Sequence, residues 1–303
     1  MRNLRRLVPA TLALSFGLLS VSCRLITHRT IRRNGKIATP AQILITASRD
    51  DLVARISRIY NAIQSFQATV AMTPSVGSVY KGQITEIHDV RAYVLFRKPA
   101  DIRIIGQLPV VGTRAFDMVS DGRNFKFFLV SKNLFVEGSN SAPATSKNRL
   151  ENLRPSAFLS SMLIRPSEPA EHPFLEDQTD EENALYILQF IHLTPDGRPS
   201  ASRSVWFDRL DLSITRQVVY DGGGDIVSDT RYAKWQAYNG VIFPAHIDIN
   251  RPKDGYGVVM DITQMQMNTP LPDDKFVLNK PEGAQLQVIG AAPTPTSDGQ
   301  APQ

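Results

Sequence analysis

From Ser48 onward the chain switches between two hydrophobic periods. Leu52, Ile56, Ile59 and Ile63 recur at three- and four-residue steps, with Arg55, Arg58 and Asn61 on the opposite side. That spacing predicts an amphipathic helix, opened by Ser48 and Asp51 as a capping box. After Ile63 the period drops to two. Phe66–Met72, Val79–Ile87, Val90–Lys98 and Asp101–Leu108 alternate as strands, and TRAFDMVS and NFKFFLVS continue the series around Asp121-Gly122, a hairpin pair. A break rich in Ser, Asn, Ala and Thr at 138–148 precedes LRPSAFLSSMLI. There Pro155 in the first turn and Phe158, Leu159, Met162 and Leu163 on one face predict a second short helix. The acidic, proline-bearing stretch 168–183 reads as a solvated loop. Its carboxylates lack the spacing of a calcium loop.

Strands resume with Ala184–Leu193, Arg203–Asp208, Ile214–Tyr220, Ile226–Trp235, Val241–Ile249 and Gly257–Met267. Asp196-Gly197, Asp221-Gly222 and Asn239-Gly240 mark turns between them. In the last strand, strict alternation puts Met260, Ile262, Gln264 and Gln266 on one face and Val259, Asp261, Thr263, Met265 and Met267 on the other. Two helices against so many short-linked strands predict a mainly β (α+β) fold with an antiparallel meander. A sheet that wide curls, so the expected architecture is a curved antiparallel sheet forming an unclosed β-barrel, with a few helices as lid or plug. Ile56, Ile59, Ile63, Phe158 and Met162 are the candidate lining of that lid or of the cavity beneath it.

Cysteine usage changes the picture at the N-terminus. Cys23 is the only cysteine, which excludes an intramolecular disulfide framework and any multi-cysteine zinc site. It follows a basic segment ending at Arg6, an apolar run from Leu7 to Leu19, and the small residues Ser20 and Ser22. This is the layout of a secretory signal, interrupted by Pro9, Ser15 and Gly17 and too short for a membrane span. The run Leu19-Ser20-Val21-Ser22-Cys23 resembles a bacterial lipobox, with Ser20 where a leucine is usual. The resemblance implies that Cys23 is the lipid-attachment site, and Arg24 after it implies sorting to the outer membrane. The expected organisation is a signal peptide at 1–22, a lipidated tether at 23–47, the β domain at 48–289, and a disordered Pro/Ala/Thr tail at 290–303.

The net charge of +5 is uneven. Arg2, Arg5, Arg6, Arg24, Arg29, Arg32, Arg33 and Lys36 concentrate it in the first segment, so no basic groove and no nucleic-acid partner is expected. The basic tail reads equally as a solvated tether and as a segment lying against anionic headgroups. Catalytic motifs are missing: His28, His88, His172, His192 and His246 make no metal-ligand spacing, and neither G-x-S-x-G nor a P-loop occurs. No enzyme, metal or cofactor is expected.

The order of helix, meander, short helix and second meander after a lipoprotein signal resembles the LolA/LolB lipoprotein-localisation superfamily, over about Ser48 to Leu278. The local likenesses are IRIIGQLPVVGTRAFDMVSDG (Ile102–Gly122), LRPSAFLSSML and NTPLPDDKFVL. The resemblance implies lipid or lipoprotein acyl chains as ligands in a hydrophobic cavity. It also implies a membrane or acyl handover loop at Leu108, Val110 and Val111, which here has valines and no leucine at its tip. A membrane partner through lipidated Cys23 and an envelope protein partner complete the expectation. The alternative is an anchored scaffold of an envelope assembly that holds no ligand.

Overall fold

The computed structural model describes residues 32–33, 36–37, 43–78, 83–86, 90–108, 112–142, 153–180 and 182–289. Cys23, Val110, Val111 and the tail from Gly290 lie outside the described residues. The chain divides into two compact units, 1–39 and 40–303. In the first, β1 (Arg32–Arg33) pairs antiparallel with β2 (Lys36–Ile37). The rest concerns the second unit.

Helix α1 (Arg49–Ala62) starts at the expected capping box. The Asp51 amide donates to Ser48 Oγ at 3.2 Å and the Ser48 amide donates to the Asp51 carboxylate at 2.9 Å. Strands β3 (Ser65–Ser78), β4 (Gln83–Glu86), β5 (Val90–Arg97), β6 (Asp101–Gln107), β7 (Arg114–Ser120), β8 (Asn124–Leu129) and β9 (Leu134–Ser139) follow. Helix α2 (Pro155–Met162) has Pro155 in its first turn, where the missing N–H costs nothing. The second run is β10 (His172–Thr179), β11 (Ala184–Leu193), β12 (Pro199–Asp208), β13 (Ile214–Tyr220), β14 (Ile226–Tyr238), β15 (Val241–Arg251) and β16 (Tyr256–Met267), and β17 (Gln285–Ile289) ends the series.

All fifteen strands from β3 to β17 form one sheet. Its order runs from β10 through β16, then β3, β5, β6, β7, β8, β9 and β17, with β4 beside β3. Each half is a meander, and the β16–β3 ladder joins them at the centre. The connection from β9 through α2 to β10 therefore runs from the last strand but one at one side of the sheet to the rim strand at the other. β10 and β17 do not pair with each other, so the barrel is unclosed.

The helices show that the sheet is curved. α1 touches both β10 and β15, which lie five places apart in the sheet, so the strands between them wrap around it. α2 packs on β6 and β7 and also reaches β13, β14 and β16. The concave face carries alternate residues: Phe66, Ala68, Val70 and Met72 on β3, Val90, Ala92, Val94 and Phe96 on β5, Leu188 and Phe190 on β11, and Phe243, Ile247 and Ile249 on β15. With Leu52 and Ile56 of α1 they make one continuous core. Each of these large side chains contributes roughly 1.5–3 kcal/mol on burial.

Three parts of the sheet depart from the reading of its pattern. The stretch 168–183 is no plain loop, because His172–Thr179 forms edge strand β10, paired with 184–191. Its charges sit at a solvent-facing edge, where they deter further strand pairing, and they obscure the alternation. In β16 the register shifts between Ile262 and Gln264. That bulge carries Met265 and Met267 onto the core and breaks the strict two-face assignment. Finally, β17 adds to β9 in parallel, the one parallel pair among the described residues of the sheet. The segment leading to it crosses the convex face, where Leu278, Ala284 and Phe276 cover Val119, Phe135 and Phe128. Arg97 and Arg103 hold that segment by its backbone, donating to the carbonyls of Leu271 (2.8 Å) and Lys275 (2.9 Å).

The crossover from α2 to β10 is clamped by Arg203 of β12. Its guanidinium donates to both oxygens of Glu171 (3.1 and 2.9 Å) and to the carbonyls of Arg165 (2.6 Å) and Pro166 (2.9 Å), while lying 3.9 Å from the centre of the Phe190 ring. Both side chains of the pair are buried. Burial pushes the Glu171 carboxyl up, but the bonds from Arg203, the Glu168 amide and Ser202 outweigh it and hold the pKa below the usual glutamate value. Removing one partner strands a buried charge, so Arg203→Met should cost about 3–5 kcal/mol in urea denaturation. A depressed folded-state pKa contributes stability above the unfolded value, and that contribution fades as pH falls through the folded value. The gap between wild type and Arg203→Met should therefore be full at neutral pH and narrow below about pH 4.3. Equal midpoints at pH 7, or a gap that stays constant on acidification, would remove Arg203 from this role.

Candidate apolar ligand site

Helix α2 is held across the concave side by polar groups of the second half-sheet. The Tyr232 hydroxyl donates to the Ser161 carbonyl at 2.7 Å, and Gln217 donates to the Ser160 carbonyl at 3.3 Å. Ser161 Oγ meets Ser228 Oγ at 3.2 Å. The Tyr232 and Gln217 bonds satisfy carbonyls that the end of any helix leaves open. Burial pushes the Tyr232 phenol well up, so it stays a neutral donor. The helix then presents Phe158 inward, where its ring stacks on Tyr256 with centroids 6.2 Å apart.

Between α2 and the opposite wall a cavity of about 350 Å³ remains. Met72, Pro74, Tyr256 and Val258 form its floor on β3 and β16, and Val90 continues it on β5. Phe116, Met118, Phe127 and Leu129 make the far wall on β7 and β8, with Leu153 and Phe158 as the roof. That volume is at the lower end of what small-molecule sites use. Larger depressions of about 620 and 470 Å³ lie elsewhere, but residues such as Asp121, Lys126, Glu137 and Asn124, or Gln67, Arg103 and Gln266, give them mixed linings. The apolar lining makes the concave cavity the better ligand candidate.

The room depends on one missing side chain. β6 lies between β5 and β7, yet its residue at this level is Gly106, paired with Phe116. The Phe116 ring lies over Gly106, and a Cβ there would fall inside the ring. At the next residue the β6–β7 ladder has a bulge, pairing Gln107 with Arg114 and leaving Ala115 over. The bulge lets Phe116 face the cavity while Arg114 reaches the Asp117 carboxylate at 3.1 Å. Asp117 is fully buried and also takes two bonds from Arg103, at 3.0 and 2.8 Å. One carboxylate thus serves two guanidiniums on the convex face of the same ladder, where Asp117 pairs with Phe128. The turn after β6 closes with the Leu108 amide on the Thr113 carbonyl (2.9 Å) and the Gly112 amide on the Leu108 carbonyl (3.2 Å). Gly112 sits at φ +63°, a conformation glycine adopts without strain. Leu108 and Val130, 45% and 40% exposed, form an apolar lip.

Of the residues singled out from sequence, the structure brings Leu108 and Phe158 together on this cavity. Ile56, Ile63 and Met162 are packed in the core, with Ile59 partly buried against it, and none of the four lines the cavity. Gly106, Phe116, Tyr256 and Arg114 went unmarked by the sequence reading. A glycine interrupting the alternation Ile102, Ile104, Gly106 was the available signal, since a strand glycine often marks a close approach. His246 meets Asp261 at 2.9 Å. Among the described residues no three His, Cys, Asp or Glu side chains are grouped to hold a metal ion.

No family model and no curated protein matches this chain. Among solved structures it is similar to a LolA superfamily protein of Nitrosomonas europaea, at 16% identity and a TM-score of 0.49 over 77% of this chain and 99% of that one. It is also similar to a DUF1329 family protein of Desulfovibrio piger, at 16% identity and a TM-score of 0.49, covering 76% and 95% of the two chains. A domain of Vibrio parahaemolyticus named for lipoprotein sorting at the outer membrane shares 12% identity at a TM-score of 0.46, covering 76% and 97%.

Proposed function

We propose that this chain is a lipid-handling lipoprotein that takes an acyl chain into the cavity under α2 and is anchored to the outer membrane through Cys23. It acts by binding, and no reaction is assigned to it. The observation that carries the reading is the apolar cavity of about 350 Å³ held open beside an exposed apolar lip at Leu108 and Val130. A fully packed barrel would gain stability from filling that space, because each missing contact in a core is a loss. Here a glycine and a bulge keep the space open instead. The lip sets apolar side chains where an entering chain would first meet the protein, and Val110 and Val111, outside the described residues, complete the proposed handover element. The anchor is supported by the sequence alone, through the apolar run before a lone cysteine.

Native mass spectrometry of the full chain, with extraction of bound lipid, tests the binding. Wild type should carry an acyl-containing ligand. Gly106→Ala, which drives the Phe116 ring into the cavity, should lose most of it while keeping a cooperative melt. A wild-type chain that takes up no acyl ligand would instead favour a scaffold without ligand. The anchor is tested separately: Cys23→Ser should leave the membrane fraction and keep an unmodified mass. Unchanged fractionation and mass in that variant would remove Cys23 as the attachment site.

A further inference from the structure

We propose a second binding site, for a phosphate ester, in a cavity on the face of α2 opposite Phe158. This cavity of about 470 Å³ lies between α2 and strands β12 to β15, and no residue lines both it and the apolar cavity. Ser156 and Ser160 line it, each two residues from Phe158, a step of about 200° around a helix. The charged groups in its wall are Arg154, Arg165, Arg203, Arg251 and Glu171. The four arginines come from the N-cap of α2, the crossover, β12 and the last residue of β15, so they approach from several directions.

The chemistry of the wall selects the ligand. Glu171, the one carboxylate in the lining, is committed to Arg203, which donates to both its oxygens. Glu168 and Asp254 hold Arg165 and Arg251 from outside the lining, at 2.6 Å each. Among the described residues each of these two pairs uses a single guanidinium nitrogen, so further N–H groups of both arginines stay available to a ligand. Arg154 and Arg203, 7% and 5% exposed, lie over the Phe125 and Phe190 rings, 4.5 and 3.9 Å from their centres. Stacking fixes the planes of these guanidiniums and aims their N–H edges. Burial outweighs the pull of Asp254 and holds the Arg154 pKa below the ordinary arginine value, an effect that an anion close by would offset. A carboxylate is flat and offers two oxygens in one plane, whereas a phosphate turns three toward donors on different sides. The rest of the wall includes Ser202, Ser228 and Asn140, whose buried Oδ1 accepts no hydrogen bond among the described residues. A buried acceptor without a donor is unfavourable, and a hydroxyl on the ligand supplies one. The wall therefore fits a phosphate ester of a polyol. A soluble phosphate ester and the glycerophosphate head of a lipid share this chemistry.

Titration calorimetry on the full chain compares glycerol 3-phosphate with glycerate, which carries a carboxylate instead, and with uncharged glycerol. We expect one glycerol 3-phosphate per chain, bound about tenfold more tightly than glycerate, and no binding of glycerol. Arg251→Gln should weaken glycerol 3-phosphate about tenfold, the worth of one hydrogen bond to a charged group. Arg91→Gln, the same change of charge at an exposed position on β5, should not. Ser156→Asp sets a carboxylate in the cavity wall and should abolish binding. An acidic residue in the first turn suits the helix, so the melting temperature of that variant should not fall, which separates loss of the site from loss of the fold. Lysophosphatidic acid distinguishes the sources. If it displaces glycerol 3-phosphate at lower concentration, the site takes a lipid head; if it does not compete, the site takes a soluble ester. No binding by wild type, glycerate bound as tightly as glycerol 3-phosphate, or Arg251→Gln and Ser156→Asp chains that bind like wild type would each overturn the site. Its failure leaves the acyl reading standing, because the two cavities have separate linings.

Discussion

The connection from β9 to β10 is the constraint on which the rest of the fold depends. It leaves the last strand but one at one side of the sheet and must reach the rim strand at the other, and it can do so compactly only if the sheet curves around it. α2 lies in that connection, so the barrel's plug and its topological link are the same segment. Arg203 fixes where the segment ends, through two carbonyls and one buried carboxylate. Tyr232 and Gln217 fix where the helix itself sits. A long crossover would otherwise be a loose strand of chain inside a half-open barrel.

The two helices do different work with the same kind of apolar face. α1 sinks Leu52 and Ile56 into the core, where both are fully buried. α2 is short, with eight residues against fourteen, and packs on β6 and β7 while Phe158 lines the cavity. The cavity lies beside that helix, with Phe116 and Met118 of β7 and Phe127 and Leu129 of β8 in its wall. Its size is set on the far side by Gly106, which lets Phe116 lie back against the sheet. The bulge beside it turns Arg114 toward Asp117 on the other face of the ladder. A packing feature and an electrostatic one thus come from the same stretch of the β6–β7 ladder.

Much of this was legible in the sequence because it is local. The capping box at Ser48 and Asp51, Pro155 opening α2, and the Asp-Gly and Asn-Gly turns each declare themselves within a few residues. The unclosed, curved sheet followed from strand number and short connections. β10 was hidden because acidic residues at a sheet edge look like a solvated loop. The bulge in β16 was hidden because alternation carries no mark where it slips, so Met265 and Met267 were assigned to the wrong side of the strand. β17 is five residues long and pairs in parallel with a strand far back in the chain, which no hairpin signal announces. That α2 rather than α1 borders the cavity depends on how far each helix reaches across the barrel, and periodicity is blind to that distance.

The ladder between β16 and β3 has a consequence for how the molecule assembles. Every other antiparallel neighbour in the sheet is close in sequence, so each half can form its hairpins as local events. β3 and β16 stand at opposite ends of the meanders, with Phe66 facing Met267. Closing that joint requires the loop entropy of nearly the whole unit to be met at once, and contacts of such long range slow folding. Until it closes, β3 and β16 are both open edges with apolar faces, Phe66 and Met260 among them. The apolar strand edges that a delayed joint would leave open thus lie at the centre of the finished sheet rather than at its rims.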